Sequence, residues 1–147
     1  MEKCETLTTS EFKALYGHFN LLWSSVHHVI VKHYSDRYKA KCYSENGNVI
    51  SKITFVYDDQ LRKYVRHGPY IWDGTISMYK YGVLHADDKP AIIGINYLFE
   101  AWYQDGFLHR EGGPAIVHII NGHTTNSWYY RGKKFKPLLL LTKRALA

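Results

Sequence analysis

A sixteen-residue stretch occurs twice in the sequence and partly a third time, and this repetition constrains the fold more than any other feature. The clearest copy, WYQDGFLHREGGPAIV, occupies residues 102–117. Residues 78–93, MYKYGVLHADDKPAII, match it position by position, 24 residues earlier, and residues 128–135, WYYRGKKF, repeat its first half. A fixed period of this size indicates a repeat architecture, in which each unit is one supersecondary motif that packs on its neighbours.

Each copy contains the residues that a β-hairpin needs. Gly82, Gly106 and Gly132 occupy equivalent positions and supply the positive φ of a two-residue turn. Pro90 and Pro114 stand where a strand begins, a position at which a missing N–H does no harm. The repeat is therefore predicted to be a turn between two short strands.

Further turn dipeptides lie on both sides of the repeat. Asn46-Gly47 predicts a hairpin with a type I′ turn, and Asp73-Gly74 and Asn121-Gly122 mark two more hairpins. Consecutive strands joined by such short loops pair antiparallel. The sequence therefore predicts one mainly β domain over residues 1–147, with an antiparallel meander of repeated β-hairpins over residues 38–136.

The N-terminal part has a different pattern. Residues 1–8 lack a periodic signal and are predicted to be loose. Apolar residues then recur every three or four positions, which predicts an amphipathic helix over residues 9–24, with Thr9 or Ser10 as N-cap, packed on the first strands. Residues 26–31, VHHVIV, favour a strand or, alternatively, a continuation of the helix.

The C-terminal segment, residues 137–147, contains four consecutive leucines. We expect it to cap the end of the sheet, because repeat arrays need their ends covered, or alternatively to form a tail that binds a partner. No stretch approaches the roughly 20 apolar residues of a membrane span, and the N-terminus lacks the apolar core of a signal peptide. These features predict a cytoplasmic protein without membrane contact.

The composition indicates a cellular location but does not select one function. Cys4 and Cys42 are the two cysteines among 147 residues. We therefore expect an intracellular location and no disulfide framework. The net charge of +6 permits contact with nucleic acid, an anionic membrane or an acidic protein. The same charge is equally consistent with a role in solubility.

His85 and His109 are equivalent in the two best copies and lie beside acidic residues. A histidine that recurs once per repeat usually has a repeated structural role, such as packing on the neighbouring Trp or bonding to a turn carbonyl. Metal binding and catalysis are the alternatives. The sequence contains no phosphate-binding glycine loop, GxSxG elbow or CxxC pair, so we expect no enzymatic activity, cofactor or metal.

Aromatic and basic residues of the repeats are the candidate binding residues. The aromatic columns alternate across the pleat, so they predict an aromatic ladder on each face of the sheet. The basic residues after residue 130 add the combination of cation and aromatic ring that a single-stranded nucleic acid uses, although solvated turn lysines explain them equally well. The predicted binding residues are Tyr79, Trp102, Tyr103, Trp128, Tyr129, Arg131, Lys133 and Lys134.

The stretch WYQDGFLHREGGPA resembles MORN-like repeats of the WYxNGxLHRExGPA type, which occur in proteins of bacteriophages, giant viruses and some bacteria. MORN repeats share the G-x-x-H-x-x-G spacing that is seen here at Gly106, His109 and Gly112. The close match covers residues 78–135, and the copy at 78–93 departs from the pattern. The resemblance implies hairpins stacked into an elongated, twisted sheet, with no shared catalytic residues.

The resemblance also implies a function. Such a small, basic, aromatic-rich protein looks like a viral or phage accessory inhibitor that docks on a host protein or protein complex, for example a nuclease or CRISPR effector. This anti-defence role rests on association alone. The alternatives are a nucleic-acid-binding protein that uses the basic aromatic face and a small hydrolase that uses the repeat histidines. An edge strand left unpaired would also permit dimers.

Overall fold

The structure, a computed structural model, describes residues 2–137. It contains one α-helix, α1 (Thr9–Tyr16), and two short 3-10 turns, Trp23–Ser25 and Ile95–Tyr97. The strands are β1 (Lys3–Thr8), β2 (His28–His33), β3 (Tyr38–Tyr43), β4 (Val49–Asp58), β5 (Lys63–Trp72), β6 (Thr75–Lys80), β7 (Val83–Leu84), β8 (Ile92–Ile93), β9 (Phe99–Ala101), β10 (Tyr103–Gln104), β11 (Phe107–Leu108), β12 (Ile116–Ile120), β13 (His123–Tyr130) and β14 (Lys133–Phe135). No helix in this part of the chain is long and apolar enough to cross a membrane.

Twelve of the strands form one antiparallel sheet, and β10 and β11 form a separate two-stranded hairpin. The sheet follows the chain in the order β1-β2-β3-β4-β5-β6-β8-β9-β12-β13-β14, and β7 pairs with β6 beside this path. Short loops join most neighbouring strands, so the chain has no room for a crossover and the sheet follows the chain order, except that β8 pairs with β6 and β12 pairs with β9. The prediction of a mainly β antiparallel meander with one N-terminal helix is confirmed.

The first strand corrects the prediction that residues 1–8 are loose. Residues 3–8 pair residue by residue with β2, from Lys3 opposite His33 to Thr8 opposite His28. Leu7 packs against the core, whereas the other residues of the strand are polar or small. Because one inward apolar residue is too little to produce a visible alternation, the sequence pattern did not reveal this strand.

The helix begins where the sequence predicted but ends earlier. The Thr8 side chain, rather than that of Thr9 or Ser10, caps it by accepting a hydrogen bond from the Glu11 N–H at 3.1 Å. The helix ends at Tyr16 because Gly17 takes a φ of 104°. The predicted range 9–24 was therefore too long: apolar loop residues beyond Gly17 pack on the same core and extend the apparent periodicity. Residues 28–33 form a strand, which decides between the two alternatives for that segment.

The core lies between α1 and the inner faces of β2, β3 and β4. Its fully buried members alternate along each strand, as they do for Val29 and Val31, and they face the two helix residues Phe12 and Tyr16. In the repeat region the buried side chains are small: they are Ala86, Ala91, Ala101 and Ala115. Burial of large side chains therefore stabilises the N-terminal half, whereas the repeats depend more on hydrogen bonds.

Five of the hairpin turns in the described residues have positive φ at both central residues, as a type I′ turn requires. They are Asp73-Gly74, Tyr81-Gly82, Asp105-Gly106, Asn121-Gly122 and Arg131-Gly132. At the predicted hairpin between β3 and β4, only Gly47 has positive φ, so this turn is not of type I′ although the hairpin forms. The predicted C-terminal cap or tail, from residue 138 onward, lies outside the described residues.

Glu5 makes the stability dependent on pH. Burial raises the pKa of its carboxyl, but hydrogen bonds from Tyr16, His33 and Lys3 outweigh burial and hold the pKa below its ordinary value of 4.5. A carboxyl with a lowered pKa stabilises the folded state above its unfolded-state pKa, and this contribution is lost as the pH falls through the folded-state pKa. We expect urea midpoints of the protein to exceed those of Glu5→Gln near neutral pH and the difference to close below pH 4.5. A difference that is constant with pH, or equally large for the exposed control Glu2→Gln, would contradict this role.

Candidate functional site

Three hairpin turns are each attached to the preceding unit by one histidine. The imidazole Nδ1 atoms of His67, His85 and His109 each accept a hydrogen bond from a backbone N–H at 3.0 Å. The donors are the first turn residues of the next unit, namely Tyr81, Asp105 and Arg131. The residue before each histidine also accepts a bond, from the N–H of the turn glycine, at 2.7 to 2.9 Å. Each turn is therefore fixed to the preceding unit by two adjacent hydrogen bonds.

The second imidazole nitrogen is also occupied in His85. Its Nε2 lies 3.0 Å from Asp87 Oδ1, whereas Nε2 of His109 lies 3.8 Å from Glu111 Oε1. An Nδ1 that accepts from an N–H places the proton of a neutral ring on Nε2, where it can be donated to the carboxylate. The predicted structural role matches this geometry, but the bond goes to a turn N–H rather than to a turn carbonyl, and His109 packs on Tyr130 rather than on a Trp.

The turn glycines are needed for space as well as for conformation. A Cβ atom on Gly106 would lie 3.3 Å from the side chain of Val83, and one on Gly132 would lie 3.1 Å from the ring of Phe107. At Gly82 a Cβ would lie 3.4 Å from the side chain of Val65, an ordinary contact distance, so there the conformation alone favours glycine. The side chain at one position of each unit therefore supports the turn of the next unit.

One copy of the repeat contains a fixed arginine. The guanidinium of Arg110 stacks on the Trp102 ring, 3.8 Å from the ring centroid, and donates a hydrogen bond to the Pro114 carbonyl at 3.1 Å. A Cβ on Gly113 would lie 2.9 Å from the guanidinium carbon, so glycine leaves room for it. These contacts explain the spacing of the Trp, Arg, Gly and Pro in the repeat. The copy at residues 78–93 has Met, Ala and Lys in place of the first three and lacks this arrangement.

An open cleft of about 770 Å³ lies beside this stacked pair. The Trp102 and Arg110 pair lines it together with Phe107, whose surface is 60% exposed. Charges of both signs surround these aromatic groups. The lining residues, here called the repeat cleft, are Asp88, Trp102, Gln104, Asp105, Phe107, His109, Arg110, Glu111 and Arg131.

The structure divides the predicted binding residues among several places. Trp102 and Arg131 line the repeat cleft. Tyr103 lies near Tyr79 and Tyr129: burial raises the pKa of Tyr103, and these two tyrosines raise it further. The remaining three lie at the C-terminal hairpin, where pairing joins Trp128 with Phe135, Tyr130 with Lys133 and Tyr129 with Lys134.

Sequence reasoning missed two side chains of the cleft. These two residues, Phe107 and Arg110, belong to the repeat motif. The signal for Arg110 was the Gly-Gly-Pro sequence that follows it closely, because the missing side chain at Gly113 leaves room for the guanidinium. The sequence pattern also did not reveal His67. This histidine lies 14 residues before the turn residue that it binds, whereas the separation is 20 residues for His85 and 22 for His109. Among the described residues, no cluster of three His, Cys, Asp or Glu side chains is arranged to hold a metal ion.

Comparison of the chain with protein-family models, curated proteins and solved structures found no match.

Proposed function

We propose that this protein is a non-enzymatic binding protein that docks on a host macromolecule through the repeat cleft. One observation carries the proposal. Arg110 is held in place on the Trp102 ring, and the exposed ring of Phe107 lines the same cleft. Aromatic residues and arginine dominate the energetics of protein interfaces. A side chain already held in place loses little conformational entropy on binding, which favours affinity.

The hydrogen bonds of His85 support a structural role for this histidine rather than hydrolysis. A catalytic base needs a nitrogen that is free to take a proton from the substrate or from water. In His85 both nitrogens have partners, the Asp105 N–H and the Asp87 carboxylate. A hydrolase that used His85 would require one of these bonds to break before the reaction, whereas in His109 only Nδ1 is hydrogen-bonded, because its Nε2 lies 3.8 Å from Glu111 Oε1.

The charges of the cleft support a protein as the partner. Arg110 and Arg131 line the cleft together with Asp105 and Glu111, so the cleft offers both hydrogen-bond donors and acceptors. Such a mixed surface is complementary to a protein surface that carries both signs, whereas a polyanion would be repelled by the carboxylates. Together with the MORN-like resemblance, this favours a viral or phage accessory inhibitor that acts on a host protein or protein complex.

Affinity capture from host lysate tests the proposal with a single substitution. We expect the tagged protein to retain one stoichiometric protein partner after nuclease treatment and in about 0.5 M salt, which screens exposed charges. Phe107→Ala removes the exposed ring and is expected to weaken this capture at least about tenfold, the scale of an interface hot spot.

Val83→Ala is the matched control, because Val83 occupies the same position one unit earlier and supports the turn of Gly106. We expect this variant to retain the partner. Equal loss in both variants would indicate a general effect on the repeats and would contradict binding at the cleft. Recovery of nucleic acid alone, released by salt, would contradict a protein partner.

A further inference from the structure

Four lysines lie together on the sheet face opposite α1. Lys32 of β2 is paired directly with Lys39 of β3, and Lys41 of β3 is paired directly with Lys52 of β4. All four side chains are exposed, whereas their sequence neighbours on the helix side, such as Ala40, are buried. Directly opposed side chains have Cβ atoms about 4.5–5.5 Å apart. These residues therefore form one positive surface, here called the lysine patch.

The lysine patch costs stability in the isolated protein. Like charges at directly opposed positions destabilise an antiparallel pair, and both of these pairs are Lys–Lys. Lysines commonly protect an exposed sheet edge, but β2, β3 and β4 each have a neighbouring strand on both sides. Alternating acidic and basic residues would solvate this face equally well and would add attraction. An anionic partner explains why all four positions are basic.

The lysines are also not used in ion pairs within the described part of the chain. The six ion pairs formed by residues 2–137 involve other groups. Four uncompensated ammonium groups in a small area are the footprint of a surface that binds phosphates.

Aromatic groups lie at both ends of the lysine patch. The Tyr34 ring lies 5.4 Å from Nζ of Lys39 and 5.9 Å from the guanidinium of Arg37. At the other end, the rings of His28 and Tyr43 stack in parallel, with centroids 4.9 Å apart. Basic groups between aromatic rings are the arrangement by which proteins bind single strands, with phosphates on the cations and bases on the rings.

We infer that the lysine patch binds single-stranded nucleic acid, with its phosphates on the four lysines and its bases stacked on Tyr34 and Tyr43. A duplex keeps its bases paired inside, so it would use the lysines but not the rings. The open face of a β-sheet bearing aromatic side chains binds single-stranded RNA in this way in other folds. This surface is separate from the repeat cleft and from the basic residues of the C-terminal hairpin.

Fluorescence anisotropy with a labelled homopyrimidine single strand tests the inference. Four phosphate contacts predict a slope of about −2.8 in a plot of log affinity against log salt concentration. Affinity then falls about 50-fold between roughly 50 and 200 mM salt. In the double variant Lys39→Gln/Lys41→Gln, the slope halves to about −1.4, and the corresponding fall is about sevenfold.

The matched control is Lys80→Gln/Lys89→Gln, which removes the same charge from exposed positions outside the lysine patch. We expect its affinity and slope to stay close to those of the unchanged protein. Lys41→Glu serves as the folding control: it places opposite charges across from Lys52, so the urea midpoint should rise while binding falls. A loss in the Lys80→Gln/Lys89→Gln control as large as that in the lysine patch variant would overturn the inference.

Tyr34→Leu separates base stacking from simple charge attraction. Loss of one stacked base is expected to weaken binding about fivefold or more while the salt slope stays the same. Binding that is unaffected by Tyr34→Leu, or stronger binding to a duplex than to the single strand, would contradict a single-stranded ligand. Binding to vesicles that contain an anionic lipid, without binding to the oligonucleotide, would assign the lysine patch to a membrane surface instead.

Discussion

Phe12→Ala is expected to lower the free energy of unfolding by about 3–5 kcal/mol, the usual cost of removing a buried phenylalanine ring. Phe12 is completely buried, and its ring is surrounded by four others, those of Tyr16, Phe19, Trp23 and Phe55, with centroids 5.2 to 6.0 Å away. No neighbouring side chain can fill the cavity without breaking these contacts, because protein cores are close-packed. Urea denaturation followed by circular dichroism measures the loss.

Leu15→Ala on the same helix is the control. The surface of Leu15 is 56% exposed, so its replacement should change the free energy of unfolding by no more than about 0.5 kcal/mol. Equal effects of the two substitutions would show that α1 does not pack with its Phe12 side against β2, β3 and β4. The same result would also contradict the core described between this helix and these strands.

His85→Ala is expected to lower the free energy of unfolding by about 1–3 kcal/mol. The substitution leaves the Asp105 N–H without its acceptor and empties a site where the histidine side chain is 9% exposed. The loss should appear in the repeat half of the protein, because this bond joins two neighbouring units. Hydrogen exchange of the Asp105 amide, measured by NMR, reports it locally.

His123→Ala tests whether any histidine would give the same result. His123 is exposed on β13, next to the Asn121-Gly122 turn, and its removal should change stability by less than about 0.5 kcal/mol. If His85→Ala were as mild as this control and the Asp105 amide exchanged at an unchanged rate, the histidine would not hold the turn. The hydrolase alternative would then regain support.

Turn chemistry and period made the β-meander predictable from the sequence. Gly82, Gly106 and Gly132 mark the repeat because their positions demand positive φ, and at Gly106 and Gly132 a Cβ would also crowd a side chain of the preceding unit. Two independent physical demands on one residue type give a strong signal. The antiparallel order of the strands from residue 38 onward followed from these turns.

Features that depend on pairing between distant segments were not predictable. The polar strand β1 becomes visible only through its pairing with β2. The lysine patch arises because Lys32, Lys39 and Lys52 come from three strands whose register brings them together. Lys32 and Lys52 are 20 residues apart in the sequence, so closeness along the chain does not group them.

The repeated histidines hold one unit of the repeat to the next through their Nδ1 atoms. Long-range proton–nitrogen correlation spectra of the histidine rings, recorded under mildly alkaline conditions, test it most directly because they report which nitrogen carries the proton. We predict the Nε2–H tautomer for His67, His85 and His109, since Nδ1 of each accepts a turn N–H. The Nδ1–H tautomer in these three rings would contradict the claim, because an Nδ1 that carries a proton cannot accept the bond.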